Sequence, residues 1–116
     1  MPVLAQLVDD VVVNKFNLEP GQYKIGRHPE SDIQINDIAV SGNHALIDVE
    51  VNKYLDGVFD VFISDLGSTN GTFINDDPVS SRRRLNNNDI VRVAWNQFKF
   101  IESLSGTLEK TAYTLE

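Results

Sequence analysis

The sequence predicts an all-β sandwich, and three observations carry that expectation. Short runs rich in β-branched and aromatic residues alternate apolar and polar side chains. Clusters of Gly, Pro, Asn and Asp separate those runs at short intervals. The body of the chain holds no convincing amphipathic helix.

Val3–Val8 is the first strand, running into an Asp9-Asp10 turn. Val11–Leu18 follows and pairs with it as a hairpin. Glu19-Pro20-Gly21 is a turn, with Pro setting φ and Gly allowing φ > 0. Tyr23–Ile25 is a short strand stopped by Gly26. Asp32–Ile35 alternates polar and apolar, and residues 36–43 form a loop. His44–Val51 alternates again, with Ala45, Ile47 and Val49 on one face and Leu46 on the other. Asp56-Gly57 signals a hairpin into Val58–Ser64, where Phe59, Val61 and Ile63 share a face. Thr72–Ile74, Ile90–Val93 and Phe98–Ile101 complete the set. Residues 103–116, with Leu104, Leu108, Ala112 and Leu115 near helical spacing, are expected as a short helix or an extended tail. The expected division is a folded body over residues 1–102 and a tail over 103–116.

Length and charge narrow the function. A chain of 116 residues is one domain, able to bury roughly two-thirds of its unfolded surface in one core. Ten Lys and Arg against 17 Asp and Glu give a net charge of −7. That balance speaks against a nucleic-acid binder, whose affinity comes from neutralising phosphates. It leaves room for one small cationic pocket. The absence of cysteine excludes disulfides, thiolate metal sites and a cysteine nucleophile. Two histidines, His28 and His44, cannot make a three-histidine metal site. No apolar run is long enough for a transmembrane helix and the N-terminus lacks a signal-peptide pattern, so a cytoplasmic protein without membrane contact is expected.

Three loop segments carry chemistry: Ile25-Gly26-Arg27-His28, the stretch from Val40 to Ala45, and the stretch from Asp65 to Asn75. Each lies at a strand end, where a rigid scaffold presents polar groups. Taken singly, Arg27 reads as a solvated arginine, Ser41 as a turn serine and the third loop as a hydrogen-bonded turn. Together, one guanidinium, two hydroxyls and an amide offer what a phosphate dianion requires: charge plus several short donors. A phosphorylated side chain brings about −1.5 to −2 charge and three acceptor oxygens.

At these residues the sequence resembles the forkhead-associated (FHA) domain family, over about residues 3–101. The resemblance is carried by Ile25-Gly26-Arg27, by Ser41 and His44-Ala45, by Asp65 through Asn75, and by Leu85 and Asn88-Asp89-Ile90-Val91. It implies an FHA-like β-sandwich of about eleven strands that binds phosphothreonine peptides through loops at one end, with no cofactor and no catalysis. On that resemblance Arg27 would hold the phosphate and Ser41 would hydrogen-bond a phosphate oxygen. Thr69 would line the pocket, and Asn70 would bond the peptide backbone beside the phosphothreonine. Gly26 and His44 match structural positions, His44 bracing the loops without touching ligand, and Gly67 and Gly71 would shape the third loop. One position departs from the pattern. Gly42 stands where the family often carries Arg, Lys or Asn, so it offers only a backbone N–H, and Asn43 is the neighbour able to compensate. Threonine is expected over serine, because burying a methyl contributes about 0.8 kcal/mol and a β-branched side chain is stiffer at χ1.

Other readings are weaker or rest on single features. Ser41 and His44 as nucleophile and base lack a clear orienting carboxylate nearby in sequence, and no Gly-x-Ser-x-Gly elbow exists. Gly21–His28 nearly matches a P-loop, but Arg27 replaces the lysine and His28 the metal-binding hydroxyl. Asp65–Gly71 is acidic only at its first position, a poor calcium loop. The alternative that stays open is a phosphate-independent interaction domain that keeps the fold with the pocket unused. Arg82–Arg84 is expected as a solvated loop triplet. Thr107, Thr111 and Thr114 raise self-association through a phosphorylated tail threonine.

Overall fold

Eleven strands form two sheets in the computed structural model, which describes residues 2–102. They are β1 Pro2–Val8, β2 Val11–Asn17, β3 Gly21–Gly26, β4 Ile33–Gln34, β5 Ala45–Val51 and β6 Phe59–Asp65. The rest are β7 Thr72–Ile74, β8 Asp77–Pro78, β9 Arg83–Arg84, β10 Ile90–Val93 and β11 Asn96–Glu102. One sheet runs β2-β1-β11-β10-β7-β8 and the other β4-β3-β5-β6-β9. The expected all-β sandwich is therefore present, and the described residues contain no helix. The tail at 103–116, with its three threonines, lies outside the described residues.

The alternation read from the sequence becomes the core. Ala45, Ile47 and Val49 of β5 and Val61 and Ile63 of β6 are buried, and they meet Leu4, Val91, Val93, Phe98 and Phe100 of the opposing sheet in one cluster. Each fully buried side chain of this size contributes about 1.5–3 kcal/mol relative to exposure. Leu18 is also fully buried, but β2 ends at Asn17, and the Leu18 N–H donates to the Pro2 carbonyl at 2.9 Å.

Turn chemistry sets the connections. Asp9 and Asp10 both have positive φ, 52° and 65°, as a two-residue hairpin whose twist matches its strands requires. The same device recurs at Asn75 and Asp76, with φ of 49° and 70°, and creates β8, which the sequence reading lacked. The Asp56-Gly57 signal does lie in a hairpin, but between Val51 and Phe59, where Asn52 Oδ1 accepts from the Tyr54 and Leu55 N–H groups. The basic triplet differs from expectation as well. Arg83 and Arg84 form β9 on β6, and Arg82 stacks over the Phe62 ring at 3.8 Å while pairing with Glu50 at 2.7 Å.

Pairing register places the loops. Ile25 of β3 opposes Ala45 of β5, which opposes Asp65 of β6. The chain leaving β3, the chain entering β5 and the chain leaving β6 therefore meet at one end of the sandwich. The β10–β11 turn joins them there, since the Ala94 N–H donates to the Gly71 carbonyl at 3.0 Å.

Candidate functional site

Arg27, Ser41, Gly42, Thr69 and Asn70, singled out from the sequence, line one cleft of about 310 Å³ together with Ile38, Ala39 and Val40. Two backbone bonds, Arg27 N–H to Ser41 O at 3.0 Å and His28 N–H to Gly42 O at 3.3 Å, zip the first two loops together. This approach explains Gly26. A Cβ there would overlap the Gly42 carbonyl, so no larger residue fits without moving the backbone.

His44 is completely buried beneath these loops. Its Nδ1 accepts the Ser41 N–H at 3.0 Å, so Nδ1 is the unprotonated nitrogen. The proton then sits on Nε2, which donates to the Gly71 carbonyl at 2.8 Å. One side chain thus ties the second loop to the third without facing the cleft.

The remaining polar groups divide between holding the loops and facing outward. Arg27 Nε donates to the Val40 carbonyl at 3.0 Å, which orients the guanidinium, and among the described residues both terminal nitrogens have no hydrogen-bond partner. Ser41 Oγ accepts the Thr69 N–H at 3.0 Å, so its own hydrogen is available to an acceptor in the cleft. Asn70 Nδ2 donates to the Ala39 carbonyl at 2.7 Å, leaving Oδ1 and a second N–H unspent. An arginine fork, a hydroxyl donor and an amide with both polarities converge, which is the donor set an anion on a peptide backbone needs.

Asp65 organises the third loop, a role the sequence reading did not assign. Its carboxylate accepts from the Gly67 N–H at 2.9 Å, the Ser68 N–H at 3.0 Å, Ser68 Oγ at 2.6 Å and Thr72 Oγ1 at 2.7 Å. Burial pushes this carboxyl up, but the Ser68 and Thr72 hydroxyls and the two N–H groups outweigh it and hold it below its ordinary value. The signal was an aspartate two and three residues before Gly67 and Ser68, the spacing of a side chain that caps its own turn. Gly67 and Gly71 both have positive φ, 82° and 87°, and at Gly71 a Cβ would also press on the Phe73 ring.

A second unforeseen tie joins the turn after β10. Asp37 accepts the Ala39 N–H at 3.0 Å and Asn96 Nδ2 at 3.1 Å. Ile38 beside it lines the cleft and is 91% exposed, so apolar surface flanks the polar groups there. Two expectations need correction. Asn43 does not stand in for a side chain at Gly42; it lines a separate cleft with Lys24, His28, Glu30 and Ser31. Arg82 and Arg84 stay exposed, but the triplet is not a loop: Arg83–Arg84 is β9, and Arg82 and Arg84 pair with Glu50 and Asp60 on the outer face of the five-stranded sheet.

Fold and cleft together define a β-sandwich that presents a small polar cleft on loops at one end. The chain belongs to the FHA domain family, which it matches over residues 23–94. It is 35% identical over 77 residues to the glycogen accumulation regulator GarA of Mycobacterium tuberculosis, covering 66% of this chain and 43% of that one. It is 39% identical over 88 residues to the oxoglutarate dehydrogenase inhibitor of Corynebacterium diphtheriae, covering 76% of this chain and 56% of that one. This chain therefore aligns with only about half the length of these curated relatives. A solved domain from work on phosphothreonine-dependent FHA domain interactions superposes with a TM-score of 0.72 at 27% identity, covering 88% of this chain and 96% of that one.

Proposed function

We propose that this chain is a non-catalytic reader of phosphothreonine peptides, acting downstream of a Ser/Thr protein kinase in the cytoplasm, with residues 1–102 as the binding module. One observation carries the reading: Arg27, Ser41, Thr69 and Asn70 meet at a single cleft with donors left over after the loops are tied. In this assignment Arg27 supplies the charge and a bidentate fork to the phosphate. Ser41 donates its hydroxyl hydrogen to a second oxygen, Gly42 its N–H, and Thr69 forms the wall. Asn70 pairs with the peptide backbone through Oδ1 and its free N–H, which fixes register. The net charge of −7 fits this division of labour. Exposed charges more than about 10 Å apart are screened near 0.1 M salt, so the acidic body does not cancel a contact with Arg27. It does suppress general polyanion binding.

The relative named an inhibitor and the relative named a regulator support a protein-binding role over a catalytic one. Gly42 is the observation that favours the second reading, a phosphate-independent docking domain, since the cleft lacks a cation at that position. A degenerate phosphothreonine peptide pool and the same pool without phosphate separate the two. The reader binds only the phosphorylated pool; equal retention of both pools overturns it. Serial phosphorylation of Thr107, Thr111 or Thr114 followed by sizing tests whether a tail threonine occupies the cleft of another copy.

A further inference from the structure

Two sheets leave four edges: β2 and β8 on one, β4 and β9 on the other. An open edge is a row of unpaired N–H and C=O groups, and proteins blunt it with short strands, proline or charge. Three edges here are blunted. β4 is two residues long. β8 is two residues long and ends in Pro78, which has no N–H. β9 is two arginines, with Arg84 held to Asp60 at 2.8 Å.

β2 is guarded least: it carries Lys15 and one bulge, but it runs seven residues, and no other described strand pairs with its outer edge. Val11, Val12 and Val13 are 61%, 44% and 55% exposed, beside an exposed Val8 on β1. Phe16 is the β2 side chain that packs inward, so the core does not account for the valines. The β-bulge opposite Gln6 and Leu7 twists the middle of the strand but leaves Val11 and Val12 in register with Val8 and Leu7.

We propose that the β2 edge pairs antiparallel with the β2 edge of a second copy of this chain, joining two six-stranded sheets into one of twelve strands. Charge selects this occupant and its direction. Lys15 is the only charged residue of β2, and Asp9 and Asp10 form the turn that precedes it. An antiparallel pairing centred on Val12 sets Val11 against the second copy's Val13, and Val12 against itself. The same register carries Lys15 past Val11 to the second copy's acidic Asp9-Asp10 turn, twice over, because that turn closes the N-terminal end of β2. A parallel pairing would stack Lys15 on Lys15 and Asp9 on Asp9. Opposite charges across strands stabilise and like charges oppose, which matters for two bodies each carrying −7. The contact is self-complementary, as a twofold interface must be. Its axis is normal to the sheet, so the loop ends of the two copies point in opposite directions. Such a dimer links two separate ligands and forms without any phosphate.

Sedimentation equilibrium of the full chain from micromolar to millimolar concentration, with far-UV circular dichroism as the folding control, tests this. The expected mass rises from one chain toward two. Val12→Lys and Lys15→Glu each return a folded monomer, and adding Asp9→Lys to Lys15→Glu restores the dimer. Hydrogen exchange is expected to protect the β2 amides that point away from β1 only at the higher concentrations. A monomer at every concentration overturns the proposal, as does a dimer unchanged by Val12→Lys. Protection at all dilutions of the β2 amides that point away from β1 also overturns it, because residues of the same chain would then cover the edge.

Discussion

The backbone N–H of Thr69 donates to the side-chain oxygen of Ser41 at 3.0 Å, across 28 positions of sequence. One hydroxyl thereby does two things. Its lone pair anchors the third loop to the second, and its hydrogen can be donated to an acceptor in the cleft. Ser41→Ala removes both. A hydrogen bond to a charged group is worth about 1.5–3 kcal/mol, so the affinity for a phosphothreonine peptide is expected to fall roughly ten- to a hundredfold. Calorimetric titration measures this, and an unchanged dissociation constant excludes Ser41 from the phosphate contact.

Arg27 separates charge from geometry. Its Nε bond to Val40 orients the fork, and lysine can supply the charge but neither the bond nor the fork. Arg27→Ala is expected to abolish phosphopeptide binding. Arg27→Lys is expected to weaken it by about tenfold or more, because a bidentate pair is lost. The residue is exposed and gives one bond to the protein, so either variant costs about 1 kcal/mol of stability. Urea unfolding beside the titration distinguishes a lost ligand contact from a lost fold.

His44→Ala has the opposite profile. It strands the Ser41 N–H and the Gly71 carbonyl at a fully buried position and opens a cavity. Each unsatisfied buried group costs about 1–3 kcal/mol, so a loss of roughly 3 kcal/mol or more in urea unfolding is expected, large against a total of about 5–15. Stability within about 0.5 kcal/mol of the parent would mean that the two bonds do not hold the loops together.

The strands were legible because alternation and burial have the same period. Ala45, Ile47 and Val49 announce their face in any window of five residues. β8 and β9 were not legible, since two residues carry no period, Pro78 reads as a breaker and consecutive arginines read as solvent. At the cleft, Arg27, Ser41, Thr69 and Asn70 could be named because three loop patterns, each weak alone, occur together and in the order of the family they resemble. Apart from His44, the bracing between loops could not be read. Asp37 meets Asn96 across 59 positions, and the Ala94–Gly71 bond draws the β10–β11 turn to the third loop. Such contacts depend on how two sheets stack, which local sequence does not encode.

Gly42 tests whether the departure from the family pattern sets affinity. A Cβ built there meets nothing within 4 Å, so a side chain is accommodated. Gly42→Lys places an ammonium at the rim of the cleft that already holds Arg27 and Ser41. Surface substitutions of this kind shift stability by about 0.5 kcal/mol or less. A new charge-assisted bond is expected to raise phosphopeptide affinity by about tenfold. Identical binding by parent and variant would show that residue 42 does not face the phosphate.

Acid should act in two separated stages. A phosphomonoester loses its second negative charge near pH 6, so binding is expected to weaken first as pH falls through that value, while the protein stays folded. The loops fail later. Asp65 is held below its ordinary value by the Ser68, Thr72 and Gly67 bonds that outweigh its burial, and Asp37 by the Ala39 N–H and Asn96. For a carboxyl depressed on folding, the stabilisation is complete above the unfolded value of 3.8 and disappears as pH falls through the lower folded value. Unfolding free energy is therefore expected to hold steady from neutral pH to about 4 and to decline below it. Asp65→Asn should flatten that decline and lower stability at neutral pH, because an amide accepts fewer of the four bonds. Urea unfolding at a series of pH values, for parent and variant, reads both effects. A parent whose stability falls between pH 6 and 5 along with its binding would place the acid-sensitive group elsewhere than Asp65.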